Sequence, residues 1–87
     1  MLMKPETMRL LDNWRNEVLE PIQGITIIRD YNPCEDGTVE LMWFIDYQRE
    51  GVNHTFKYEV SNLPDDISAI NIKIDIVEQT ELKKHLH

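Results

Sequence analysis

The sequence predicts an α+β domain in which an N-terminal amphipathic helix packs on an antiparallel β-meander of three to four strands. Three observations carry that expectation. Apolar residues at helical spacing open the chain, three later segments alternate β-branched or aromatic residues with polar ones, and the turn pairs Asp36-Gly37 and Glu50-Gly51 separate those segments. A length of 87 residues leaves room for one core, so residues 1–87 are read as a single domain.

Residues 5–19 are expected to be the helix. Leu10, Leu11, Trp14, Val18 and Leu19 recur at i, i+3, i+4 and i+7 spacings, while Asp12, Asn13, Arg15, Asn16 and Glu17 fill the remaining positions. Pro5 suits the first helical position, and Pro21 cannot continue the helix, so the chain should turn there. Leu11 and Trp14 are the natural plug for a sheet.

A first strand is expected over 24–31 and a central one over 39–47. In the central segment Val39, Leu41, Trp43, Ile45 and Tyr47 share one face, and Glu40, Met42, Phe44, Asp46 and Gln48 share the other. The preferred pairing of the first two strands sets Ile27 opposite Trp43 and Ile25 opposite Ile45. Arg29 then falls opposite Leu41 near the sheet edge, where its head could reach water. The third strand, around 54–60, is more tightly determined. An even loop at Glu50-Gly51 brings Phe56, Tyr58 and Val60 opposite Ile45, Trp43 and Leu41, whereas an odd loop would turn the aromatics outward.

The last third of the chain supports two readings. Residues 70–76 alternate isoleucine with polar residues and are read first as a fourth strand, followed by a short helix or tail from Thr80. The alternative is a C-terminal helix within 66–85, giving α-β-β-β-α. It is favoured by Pro64-Asp65-Asp66 at its start, by Lys83-Lys84-His85 at its end, and by the stripe Ile67, Ile70, Ile74, Val77. It would leave Ile72 and Ile76 on the wrong side.

Composition narrows the function classes. Hydrophobic content of 41% is that of a globular chain, and no apolar run reaches the roughly 18 residues of a membrane span. The N-terminus shows no secretory h-region, and the one cysteine, Cys34, lies in a polar turn where it is expected to be exposed, so a cytoplasmic location is expected. A formal net charge of −7 without any Lys/Arg cluster argues against direct binding to nucleic acid.

Catalytic signals are sparse. Ser61 and Ser68 stand in no nucleophile turn, and His54, expected opposite Tyr47 with Asp46 adjoining, is read as a hairpin histidine rather than a general base. Metal ligation would have to draw on Cys34, His54, His85 and His87, which lack zinc-site spacing, so neither metal nor cofactor is expected.

The unabsorbed feature is the mixed face of the sheet. Ile28, expected opposite Met42, together with Met42 and Phe44 makes an apolar patch rimmed by Glu40, Asp46, Asp30, Glu59 and Lys57. One helix covers only one face, so this patch is either covered by the C-terminal segment or offered to a partner. The expected function is therefore a small acidic protein-binding module, an inhibitor or adaptor that could present nucleic-acid-like charge to a basic nuclease, restriction or CRISPR effector. The alternative is a homodimeric assembly protein whose patch is its own partner.

Overall fold

The computed structural model describes residues 3–17 and 24–85, the His85 side chain excepted. Val18, Leu19, the turn at Pro21 and His87 lie outside the described residues, so the expectations placed on them are not addressed. Helix α1 (Pro5–Asn16) leads into a meander of β1 (Ile25–Pro33), β2 (Thr38–Arg49) and β3 (Val52–Pro64), and α2 (Ile67–Ile76) follows. The chain then widens into one π-helical turn, Val77–Glu81, and closes on a 3₁₀ turn, Lys83–His85. The α+β class is as expected, in its α-β-β-β-α form.

The preferred fourth strand is therefore corrected to a helix. Asp66 takes the extended N-cap conformation, and its side chain accepts from the Ala69 N–H at 3.0 Å, so a donor that a helix start leaves orphaned is satisfied. Ile70, Ile74 and Val77 are buried by the turn of the helix. The cost foreseen for this arrangement is also present, since Ile72 and Ile76 remain 60% and 50% exposed.

α1 runs from Pro5 at its first turn and ends at Asn16, three residues short of the expected 19, because Glu17 is already extended (ψ 127°). The carbonyl of Trp14 at that end accepts from the Arg29 guanidinium at 3.3 Å, a cation placed where the helix leaves carbonyls unpaired. Along its length α1 is pinned to β1. The Tyr31 hydroxyl donates to Asp12, which holds the phenol's proton and pushes its pKa up, and the Arg15 guanidinium stacks 5.0 Å from the Tyr31 ring.

The three strands lie in sequence order, both pairs antiparallel. The β2–β3 hairpin has the expected register, Ile45 opposite Phe56, Trp43 opposite Tyr58 and Leu41 opposite Val60. Its loop is the two residues Glu50 and Gly51, both at positive φ (54° and 78°), the pattern that follows the twist of the strands. Farther along, Ser61 and Asn62 together face Glu40, and Asn62 is left-handed (φ 62°). This bulge reverses the facing of β3, so Leu63 turns into the core beside Val39 where strict alternation would send it outward.

The β1–β2 register differs from the expected one by two residues. Ile27 faces Ile45, Ile25 faces Tyr47, and Arg29 faces Trp43 rather than Leu41. A slip of two keeps every side chain on its face, so burial pattern alone could not distinguish the two pairings.

Both helices pack on the Trp43 face of the sheet. Leu11, Leu41, Trp43, Ile45 and Ile70 are wholly buried there, and Trp43 meets Trp14 and Tyr58 edge-on at centroid distances of 5.4 and 6.0 Å. The molecule is long and narrow, 45 × 21 × 20 Å. Among the described residues no helix is long and apolar enough to cross a membrane. Replacing Ile70, fully buried under α2, with Ala is expected to cost about 2–4 kcal/mol in urea unfolding, while Ile72→Ala on the outer side of the same helix changes stability by less than about 0.5 kcal/mol.

Candidate functional site

The opposite face of the sheet carries no helix from the described residues. Its side chains come in cross-strand rows set by the two registers: Thr26, Asp46 and Thr55; then Ile28, Phe44 and Lys57; then Asp30, Met42 and Glu59; and Glu40 beyond them. All seven residues expected at an interface, Ile28, Met42, Phe44, Glu40, Asp46, Asp30 and Glu59, thus share this face. One neighbour relation is corrected by the two-residue shift of register: Ile28 faces Phe44, and Met42 faces Asp30.

The patch has an apolar centre and a charged margin. Ile28 is half exposed, and Met42 and Phe44 are partly shielded by the rows on either side. The Lys57 ammonium lies 5.7 Å from the centre of the Phe44 ring and 2.5 Å from Glu59, whose hydrogen bond pushes the lysine pKa up and keeps it cationic. Asp46 accepts from the Thr55 hydroxyl at 2.8 Å, and Asp30 accepts from the Tyr31 backbone N–H while meeting Arg15 at 3.7 Å. Four carboxylates and one ammonium therefore surround three apolar side chains.

The remaining candidates are less developed. His54 does face Tyr47 and stacks on it, with centroids 5.1 Å apart, but the neighbouring Asp46 is engaged by Thr55. A shallow polar hollow of about 570 Å³ opens at this end of the sheet beside His54, with Thr26, Asp46 and Asn53 on its walls. A second open groove, about 600 Å³, runs between the helices, with Leu10, Trp14 and Ile67 on its floor and Glu6, Glu17 and Asp75 along its sides. Among the described residues no three His, Cys, Asp or Glu side chains converge as metal ligands. Cys34, expected at an exposed position, is partly buried, and its thiol lies 3.8 Å from the Asn32 carbonyl.

Sequence reasoning did not anticipate the polar cluster beneath the helices. Glu78, the second residue of the π turn, accepts from Trp43 Nε1 at 3.1 Å and Trp14 Nε1 at 3.3 Å through one oxygen and from Arg29 Nη2 at 2.8 Å through the other. Arg29 is accordingly buried, 8% exposed, rather than reaching water, and its guanidinium also lies 5.6 Å from the Trp14 ring and 3.5 Å from Glu17. The signal that could have found this partner was the helical reading of 66–85, which sets Glu78 one turn beyond Ile74 on the side facing α1. Both Glu78 oxygens are engaged, while Arg29 Nε is buried without a hydrogen-bond partner among the described residues.

Comparison with protein-family models, curated proteins and solved structures returned no match to this chain. The fold and the site define an α-β-β-β-α domain with one sheet face packed and the other open.

Removing Glu78 would leave the buried Arg29 charge facing the more exposed Glu17 carboxylate at 3.5 Å, a weaker compensation. Glu78→Ala is expected to lower unfolding stability by about 2–4 kcal/mol, reduced from the fully buried case because Glu78 is 21% exposed. Adding Arg29→Met to Glu78→Ala should recover part of that loss in a double-mutant cycle followed by tryptophan fluorescence.

Proposed function

We propose that this chain is a small protein-binding module that engages a foreign protein through the open sheet face. The observation that carries the reading is the one-sided packing: both helices lie on the Trp43 face, which leaves Ile28, Met42 and Phe44 as an apolar centre without an intramolecular cover among the described residues. An apolar centre with a polar margin is the anatomy of a protein interface. The margin also selects the partner. With Asp30, Glu40, Asp46 and Glu59 against Lys57, and Arg15 reaching Asp30 at 3.7 Å, the margin stays acidic and the complementary surface is an apolar knob among Lys and Arg side chains.

The same margin disfavours this face as its own partner. In a face-to-face homodimer the acidic rims would be brought against each other, and like charges in an isologous contact oppose association. A foreign partner with a basic rim meets no such penalty, and an inhibitor or adaptor role follows from occupying that partner's surface without any chemistry of its own.

The test is comparative capture from the native cell extract with identification by mass spectrometry. A protein retained by the wild type and by Met8→Asp, a change on exposed α1 surface, should be lost with Ile28→Asp and with Phe44→Asp, each variant checked for fold by circular dichroism. Its affinity should fall at least ~30-fold in both face variants, as for a central interface residue, and association should slow as salt rises. If every retained protein binds all four forms equally, the reading fails.

A further inference from the structure

The free edge of β3 is complementary to itself. β3 is an edge strand, and among the described residues no backbone hydrogen bond outside its ladder with β2 involves Asn53, Thr55, Lys57 or Glu59. The direction of its free groups can be read from the ladder. Gln48 N–H donates to the Gly24 carbonyl, so even positions of β2 bond toward β1 and odd positions toward β3. The odd positions of β2 face the even positions of β3, which leaves the N–H and C=O of Asn53, Thr55, Lys57 and Glu59 pointing out of the sheet, up to the bulge that begins at Ser61.

Edge strands are commonly guarded by a bulge, a proline or a lysine. Here the bulge at Ser61–Asn62 and Pro64 lie at one end, so the stretch before them is regular and bare. Lys57 sits in the middle of that stretch, but Glu59 two positions on turns the guard into half of a pair. Two copies of β3 running antiparallel complete each other's ladder only when outward residues face outward residues. Centred on Tyr58, the two-fold axis sets Lys57 opposite Glu59 of the second copy twice over, and Tyr58 beside Tyr58. Moving the centre by one residue places Lys57 against Lys57 or Glu59 against Glu59 on the axis, so charge selects the Tyr58 register.

α2 supplies an independent observation on the same side of the molecule. It packs over β3 while α1 packs over β1. Ile70, Ile74 and Val77 point into the core, and Ile67, Asn71 and Asp75 line the groove toward α1. The flank of α2 turned away from α1, beyond the free edge of β3, therefore carries Ala69, Lys73 and Ile76, of which Ile76 is 50% exposed, while Ile72 points away from the sheet. Joining two sheets along β3 brings these flanks of the two α2 helices toward one another across the axis.

We propose that two copies of this chain pair antiparallel through the β3 edge, centred on Tyr58, forming a six-stranded sheet with Lys57–Glu59 cross-pairs and an α2–α2 contact through Ile76. The pairing goes beyond the open-face reading and runs through the β3 edge, with Lys57 and Glu59 shared between that edge and the margin of the open face. It also places two copies of the Ile28, Met42, Phe44 patch on one continuous face.

Sedimentation velocity with light scattering across a concentration series tests this in the full chain. The wild type is expected to reach twice the 10.4 kDa monomer mass. Lys57→Glu and Glu59→Lys, folded by circular dichroism, should each weaken the dimer by about tenfold or more, and the double exchange Lys57→Glu/Glu59→Lys should restore it. Ile76→Asp should weaken it through the helix contact, whereas Ile28→Asp on the open face should leave it intact. A wild type that stays monomeric at the highest concentration overturns the proposal. So does a dimer indifferent to both single reversals, or one that the double exchange fails to restore. Loss of the dimer with Ile28→Asp would assign self-association to the open face and overturn it as well.

Discussion

One carboxylate holds the layers of this protein in place. Glu78 takes the indole N–H of Trp14 from α1, the indole N–H of Trp43 from β2 and the guanidinium of Arg29 from β1, and it reaches them from the turn after α2. Four segments far apart in sequence thus converge on two oxygen atoms. A buried ion pair is a weak source of net stability, because desolvation of both charges offsets most of their attraction. Its value here is geometric. Hydrophobic burial would tolerate several placements of two helices on a sheet, whereas three donors aimed at one acceptor tolerate few. Arg29 extends the constraint by accepting the role of cap for α1 through the Trp14 carbonyl, so the end of the first helix and the position of the last turn are set by the same side chain.

With both helices assigned to one face, the other consequences follow from counting surfaces. A three-stranded sheet has two faces and two edges, and a short chain has too few elements to cover them all. α1 attends to β1 and to half of the Trp43 face, α2 to the other half, and among the described residues the second face is left to its own side chains. Those side chains reconcile exposure with solubility by mixing three apolar groups with a charged surround. Lys57 is central to this compromise, since its ammonium lies over Phe44 while bound to Glu59. The elongated shape has the same origin, because strands of up to thirteen residues are paired with helices of ten and twelve.

Much of this was legible in the sequence. Period-two alternation over 39–47 and 54–60 determined which residues face the core, and with an even loop at Glu50-Gly51 it selected the β2–β3 register that the structure shows. The membership of the open face followed as well, because membership depends only on parity. What parity cannot see was missed: a shift of two residues between β1 and β2, which preserves every face, and with it the position of Arg29 opposite Trp43. The strand reading of 70–76 failed because four alternating isoleucines speak for a strand by type while the decisive information lies at the ends, in the Asp66 cap and the partner waiting for Glu78. With that segment taken as a strand, Glu78 is not placed beside Arg29, and the arginine reads as an edge residue reaching water.

The π turn at Val77–Glu81 has a consequence of a different kind. Continued as an ordinary α-helix at about 100° per residue, the chain would carry Leu82 roughly 140° away from Val77 and out of the core. The wider turn instead bonds the Leu82 N–H to the Val77 carbonyl at 3.0 Å and returns Leu82 to the interior, 3% exposed, while Glu78 faces the two indoles. The segment works as a phase adjuster between two rotational settings of the same helix. Many side chains can occupy a phase adjuster, but its residue count is not free. Lineages of this chain should therefore drift in sequence through 79–81 far more readily than they gain or lose a residue there, the reverse of the freedom shown by an ordinary surface loop.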